Sequence, residues 1–274
     1  MGRSPSWTSW ATARCGSGRP TAREALSAAA LYLGASSRLT VATGIASVYA
    51  RDAVAAASAA RALAEQYPGR FLLGLGVSHA PLVERLRGHA YGRPLTVMRD
   101  YLAAMDAAPY AVAGAGEPPP RVLAALGPRM LELARDRTAG AHPYLTTPAH
   151  TASARELLGP GPLLAVEQGV VLTADREVFL QRAHWHLEIY TGLASYRSSW
   201  LRQGFGEDDL GRGGSERLKD GLLAFGRDDL LRRVRAHLDA GADHVCVQVL
   251  GADPFDVPQR EWRALAPDLL ASVA

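Results

Sequence analysis

The sequence predicts an α/β protein of the (β/α)8 TIM-barrel type, and three observations carry that expectation. Apolar blocks of strand length alternate with Ala- and Leu-rich blocks of helical length along most of the chain, the order that yields parallel strands joined by crossover helices. The strand blocks, such as LTVATGI and RFLLGLG, are continuously apolar rather than alternating, so both faces of the sheet are covered. No G-x-G-x-x-G follows the first strand block, and the βα units are many for 274 residues. Both points favour the barrel over a doubly wound dinucleotide-binding sheet.

Each element follows from its local pattern. Residues 21–36 read as a helix, 39–45 as a buried strand, and 52–66 as a helix whose first turn is acidic, where a carboxylate meets the positive end of the helix dipole. A strand at 70–76, a helix at 93–107 and a strand at 121–126 follow. The helix at 128–137 has a proline near its start, where the missing N–H costs nothing. Next come a short strand at 141–145, a helix at 149–158, a strand at 168–172 and a helix at 176–191. Residues 195–225 interrupt the alternation with glycine-rich GRGGS and acidic GEDDL, and read as an insertion packed at a barrel end, its acidic run solvated. A helix at 229–240, the β-branched strand HVCVQVL at 244–250 and a last helix end the chain. Residues 1–20 show no strand period and are expected to be irregular, with six strands after residue 21.

Composition excludes several functions. With 48% hydrophobic and 21% charged residues the chain has the balance of a packed globular protein. The net charge is +3, but Lys219 is the only lysine among 30 basic residues, and the arginines are scattered among acids rather than gathered in a stripe. Nucleic-acid binding is therefore not expected. No apolar run approaches the ~20 residues of a membrane helix, and no apolar stretch follows Arg3 as in a secretory leader, so a cytoplasmic setting is expected. Cys15 and Cys246 lack C-x-x-C spacing, which supports neither a disulfide framework nor a thiolate zinc site. His184 and His186 are two apart on a helix and lie on different faces, which argues against a metal pair. No metal is expected.

The segment TVATGIASVYARDAVAAASAARALAEQYPGRFLLGLGVSHAPLVERLRGHAYGRPLTVMRDYLAAM, with AALGPRMLELA, GAHPY and AGADHVCVQVL, resembles the luciferase-like flavin and deazaflavin oxidoreductases. It is most similar to the actinobacterial branch that uses coenzyme F420, and the resemblance covers about residue 22 to the C-terminus. It implies hydride transfer between the deazaflavin coenzyme and a small organic substrate. The alternatives are an FMN-dependent monooxygenase on the same scaffold, or a decayed member without catalysis. The expected partners are a small-molecule substrate and at most a second copy of the chain in a homodimer.

The resemblance further implies a non-prolyl cis bond between Gly44 and Ile45, after Thr43, forming a bulge that backs the coenzyme ring, with glycine allowing close backbone approach. Gly76, Val77 and Ser78 are expected to offer backbone N–H groups and a hydroxyl to ring carbonyls or the phosphate tail. His79 is the one group there that titrates near neutrality, which makes it the candidate for proton handling. His142, Pro143 and Tyr144 are expected to line the coenzyme or substrate pocket. Each has a structural alternative: His79 as a turn residue before Ala-Pro, His142 as a loop residue, and TGI and GLG as strand ends.

Against the family's pattern, the first two barrel strands are expected to be missing or scrambled, leaving 21–274 as the barrel domain. Back-translation of residues 7–17, reread one base earlier, gives Leu-Asp-Glu-Leu-Gly-Tyr-Gly-Ala-Leu-Trp-Ile, which looks like the family's first-helix end and second strand. The segment is thus expected to be an out-of-frame translation that returns to frame near Pro20 or Thr21. A barrel short of two strands would expose sheet edges, and catalysis by such a chain is correspondingly in question.

Overall fold

The computed structural model describes residues 10–13, 23–112, 116–253 and 257–272. Its contacts divide the chain into two compact units, Met1–His142 with Gly161–Leu163, and Pro143–Pro160 with Leu164–Ala274.

The first unit contains β1 (Trp10–Ala13), α1 (Ala25–Gly34), β2 (Thr40–Thr43), β3 (Ala46–Ser47), α2 (Ala53–Gln66), β4 (Phe71–Gly76), α3 (Pro94–Asp106), β5 (Arg121–Leu123), α4 (Pro128–Arg137) and β6 (Gly140–Ala141). A π-helical turn occupies Leu82–Leu86. The strands are parallel and run β1-β2-β4-β5-β6, with β3 added to β4. Parallel strands buried on both faces need apolar side chains throughout, and all six residues of β4 are buried. Side chains that cap the helices place the loops between them. Glu24 accepts from the Leu26 and Ser27 amides at the start of α1 and binds the Arg51 guanidinium at 2.9 Å. Although partial burial raises its pKa, Arg51 and those amides prevail and bring it to about 2. Arg70 caps the other end of α1 by donating to the Ser36 and Leu33 carbonyls.

The second unit contains α5 (Pro148–Leu158), β7 (Leu163–Val171, from Leu164 on), α6 (Arg176–Thr191), α7 (Ala194–Arg202), α8 (Glu216–Leu222), β8 (Leu223–Phe225), α9 (Gly226–Asp239), β9 (His244–Val249) and α10 (Gln259–Ser272). Strand β7 pairs in parallel with β8 through Gly169–Val171 and with β9 through Ala165–Val170. Val170, Ala224, Leu230, Val234, Val249 and Leu265 form one buried cluster. Among the described residues no helix is long and apolar enough to cross a membrane.

Four expectations need correction. Residues 1–20 are not wholly irregular, because Trp10–Ala13 pairs with β2 in register from Trp10 opposite Thr40 to Ala13 opposite Thr43. The ladder is made by backbone groups, so it does not require the side-chain period this segment lacks; the rest of 1–20 lies outside the described residues. Residues 195–225 are not simply an insertion, because their last three residues are β8, a strand of the sheet. With β8 and the two-residue β3, the strands after residue 21 number eight among the described residues, not six. The acidic run is also less solvated than expected: Asp209 is buried, accepts from the Gly206 amide and the Ser215 hydroxyl, and pairs with Arg217. Gly213 lies so close to the His184 ring that a Cβ there would stand 2.1 Å from Nδ1, which fixes the glycine-rich turn by packing.

Candidate functional site

The first unit builds an irregularity where β2 ends. Val41 and Ala42 pair with Phe71 and Leu72, whereas Ala46 and Ser47 pair with Leu75 and Gly76. Three residues, Thr43 to Ile45, therefore oppose two, Leu73 and Gly74, which is a β-bulge of one extra residue. The Gly44–Ile45 bond within it is cis. Thr43 is buried, and its hydroxyl donates to the Gly74 carbonyl at 2.8 Å while accepting the Gly74 amide at 2.9 Å. Its side chain thus carries both hydrogen bonds across the gap in the ladder. Glycine at 74 and 76 follows from this packing. A Cβ on Gly74 would lie 2.0 Å from the Thr43 carbonyl oxygen, and one on Gly76 would lie 2.4 Å from Ile45 Cδ1.

The loop after β4 is half-buried from Val77 to His79. Ser78 has φ 56°, a left-handed conformation that costs energy for a residue with a Cβ. Its carbonyl accepts the Tyr91 hydroxyl at 3.1 Å. No group among the described residues engages the Ser78 amide N–H or hydroxyl. Burial pushes the His79 imidazole below its usual pKa, so the ring is neutral at pH 7, and its carbonyl accepts the Leu82 and Val83 amides of the π-helical turn. His142, at the end of β6, is buried and donates its amide to the Leu123 carbonyl at 2.8 Å.

The second unit holds Pro143 and Tyr144. The Tyr144 hydroxyl lies 2.8 Å from His186 Nε2 and donates to Gln248 Oε1 at 3.1 Å. Its ring packs edge-on against Tyr190 and Tyr196, and Tyr196 continues to buried Trp200. Trp200 Nε1 donates to the Leu145 carbonyl, and the buried Glu167 carboxylate accepts the Leu145 amide. The segment after Tyr144 is thereby fixed by polar groups far away along the chain. His184 and His186 do diverge, one toward Gly213 and the other toward Tyr144.

His237 is a buried group with a structural role. Gln168 Nε2 donates to the Gly169 and Leu222 carbonyls, so Gln168 Oε1 faces His237 Nε2 as an acceptor at 3.2 Å. The Nε2–H tautomer follows, leaving Nδ1 to accept the Thr151 hydroxyl at 2.8 Å. Burial, with the charges of Arg233 and His150, lowers its pKa to about 4. Among the described residues no cluster of His, Cys, Asp or Glu is placed to hold a metal ion.

Comparison with known proteins sets this geometry in context. No curated protein matches the sequence closely enough to count. Among solved structures, the chain is similar to an F420-dependent secondary alcohol dehydrogenase in complex with an F420-acetone adduct, with a TM-score of 0.69 at 13% identity over 90% of this chain and 86% of that one. It is similar to the coenzyme F420-dependent tetrahydromethanopterin reductase of Methanopyrus kandleri, with a TM-score of 0.62 at 16% identity, again over 90% and 86%. It is also similar to the oxygenating constituent of 3,6-diketocamphane monooxygenase from Pseudomonas putida, a type II Baeyer-Villiger monooxygenase in complex with FMN. There the TM-score is 0.68 at 14% identity over 96% and 86%. These likenesses establish the luciferase-like TIM-barrel fold. The luciferase-like monooxygenase family model matches residues 7–233 and so begins inside the segment expected to be irregular. The chain belongs to the luciferase-like monooxygenase family.

Proposed function

We propose that this protein is an F420-dependent oxidoreductase that transfers a hydride between the deazaflavin coenzyme and a small organic substrate. The observation that carries the reading is the one-residue bulge at Thr43 to Ile45 beside the Val77–His79 loop. A flat ring needs backbone at close range and donors for its carbonyl oxygens, and these residues fit that need: Gly44 has no side chain, and the Ser78 amide and hydroxyl are open donors.

When bound, the deazaflavin supplies the hydride chemistry, and the protein supplies binding, orientation and electrostatics. In this reading Gly44 and Ile45 back the ring, while Thr43 fixes the turn through Gly74. Gly76 makes room for Ile45, and Val77 and Ser78 donate to ring carbonyl or phosphate oxygens. His79, neutral at pH 7, takes up or returns a proton at its imidazole nitrogen. His142 lines the pocket of the first unit, and in the second unit the Tyr144 hydroxyl is held by His186 and Gln248.

A second reading, an FMN-dependent monooxygenase, is supported by the likeness to a monooxygenase in complex with FMN over 96% of the chain. Fluorescence titration with F420 and FMN tests both. Binding of F420 in preference to FMN is expected; the reverse preference selects the monooxygenase, and binding of neither leaves a non-catalytic member of the family.

A further inference from the structure

Ser78 sits in the left-handed region, which is costly for a residue with a Cβ, and its carbonyl is held from outside the loop. At φ 56° its Cβ opposes the following carbonyl, so the loop would relax unless something outside it fixed the peptide. The Tyr91 hydroxyl, 13 residues on, donates to the Ser78 carbonyl at 3.1 Å. Tyr91 is itself clamped. Its ring packs on Tyr49 with centroids 5.8 Å apart, and the Tyr49 hydroxyl accepts the Gly92 amide at 3.0 Å. Tyr49 is in turn tied to the end of β3, its amide donating to the Ser47 hydroxyl at 3.3 Å. Burial and the neighbouring Tyr49 push the Tyr91 pKa further above its usual value.

We propose that Tyr91 is a positioning residue for the coenzyme site: its hydroxyl locks Ser78 in the left-handed conformation and so aims the Ser78 amide and hydroxyl at the bound ring or phosphate. The proposal deepens the coenzyme-binding reading and rests on it. Tyr91 itself contacts no coenzyme; it acts through the Ser78 carbonyl, with Tyr49 holding its ring.

The test is a double-mutant cycle on the full chain, with Tyr91→Phe made in the native background and in Ser78→Gly. Glycine reaches positive φ without a Cβ penalty, so a lock on that conformation becomes redundant there. Three quantities are read: dissociation constants for F420 and FMN, deuterium uptake across residues 77–86 without coenzyme, and the thermal midpoint. Tyr91→Phe is expected to weaken coenzyme binding about tenfold, the equivalent of one lost hydrogen bond, and to speed uptake across that peptide. In the Ser78→Gly background both effects should vanish. Equal effects in both backgrounds, or a lowered midpoint with unchanged affinity and uptake, overturn the positioning role. If the native chain binds neither coenzyme, the functional reading fails, and unchanged uptake in Tyr91→Phe would separately overturn the lock.

Discussion

The Thr43 hydroxyl and the Gly74 peptide exchange two hydrogen bonds across the interruption between β2 and β4, donating at 2.8 Å and accepting at 2.9 Å. A side chain here performs the work of a missing ladder residue. Removing it leaves a buried N–H and a buried C=O without partners, each costing about 1–3 kcal/mol. Thr43→Val, nearly isosteric, is therefore expected to lower stability by about 2–6 kcal/mol, read from urea unfolding. Gly74→Ala should cost at least as much, because the added methyl meets the Thr43 carbonyl oxygen, a backbone atom with little room to yield. Native-like midpoints in both variants would show that the bulge is not held this way.

The buried His237 network predicts an acid-side loss of stability. The unfolded chain takes up a proton as pH falls through 6.5, whereas the folded protein keeps His237 neutral down to about 4. Stability is thus full above pH 6.5 and falls between there and pH 4, with a slope approaching about 1.4 kcal/mol per pH unit. His237→Gln is expected to be less stable than the native chain at pH 7 and to show a shallower slope between pH 6.5 and 5, where buried His79 still contributes its own. That interval lies above the window of Glu24, whose contribution is lost between 4.5 and about 2. Parallel acid dependence in both proteins would remove His237 from the account.

Substituting His79 with alanine tests proton handling. The variant should keep its coenzyme dissociation constant within about twofold and lose about 10²–10⁴-fold in turnover, the scale of general acid–base catalysis. Because burial holds the imidazole below its usual pKa, native turnover should stay level through pH 7 and fall only on the acid side of 6.5. Undiminished turnover in the variant would assign His79 to the turn alone.

Much of this architecture was legible in the sequence. Helices at Pro128–Arg137 and Arg176–Thr191 match their expected limits, and Asp52 serves as the cap of α2, accepting the Ala55 amide. Strand β7 begins five residues before its expected start at 168 because Glu167, beside Gln168, broke the apolar pattern. Both are buried polar residues whose hydrogen bonds only the fold supplies. Strand β8 escaped notice because three residues among glycines and charges carry no period. The bulge was reached through resemblance, from the Thr-Gly-Ile strand end. The hydrogen-bond partners of Tyr91, His186 and Gln248 were not reachable, since they lie 13, 42 and 104 residues away, separations at which no local pattern survives.

The central claim is that the bulge after β2 backs a coenzyme ring, and Gly44→Val tests it most directly. Its two added methyls would project into the space the ring needs, while the Thr43–Gly74 hydrogen bonds that secure the bulge remain. Coenzyme titration of native and variant chains, beside their thermal midpoints, is the measurement. Saturable F420 binding by the native chain is expected, with its loss in Gly44→Val at a largely unchanged midpoint. Native affinity in the variant would contradict it and leave only the fold shared with the family.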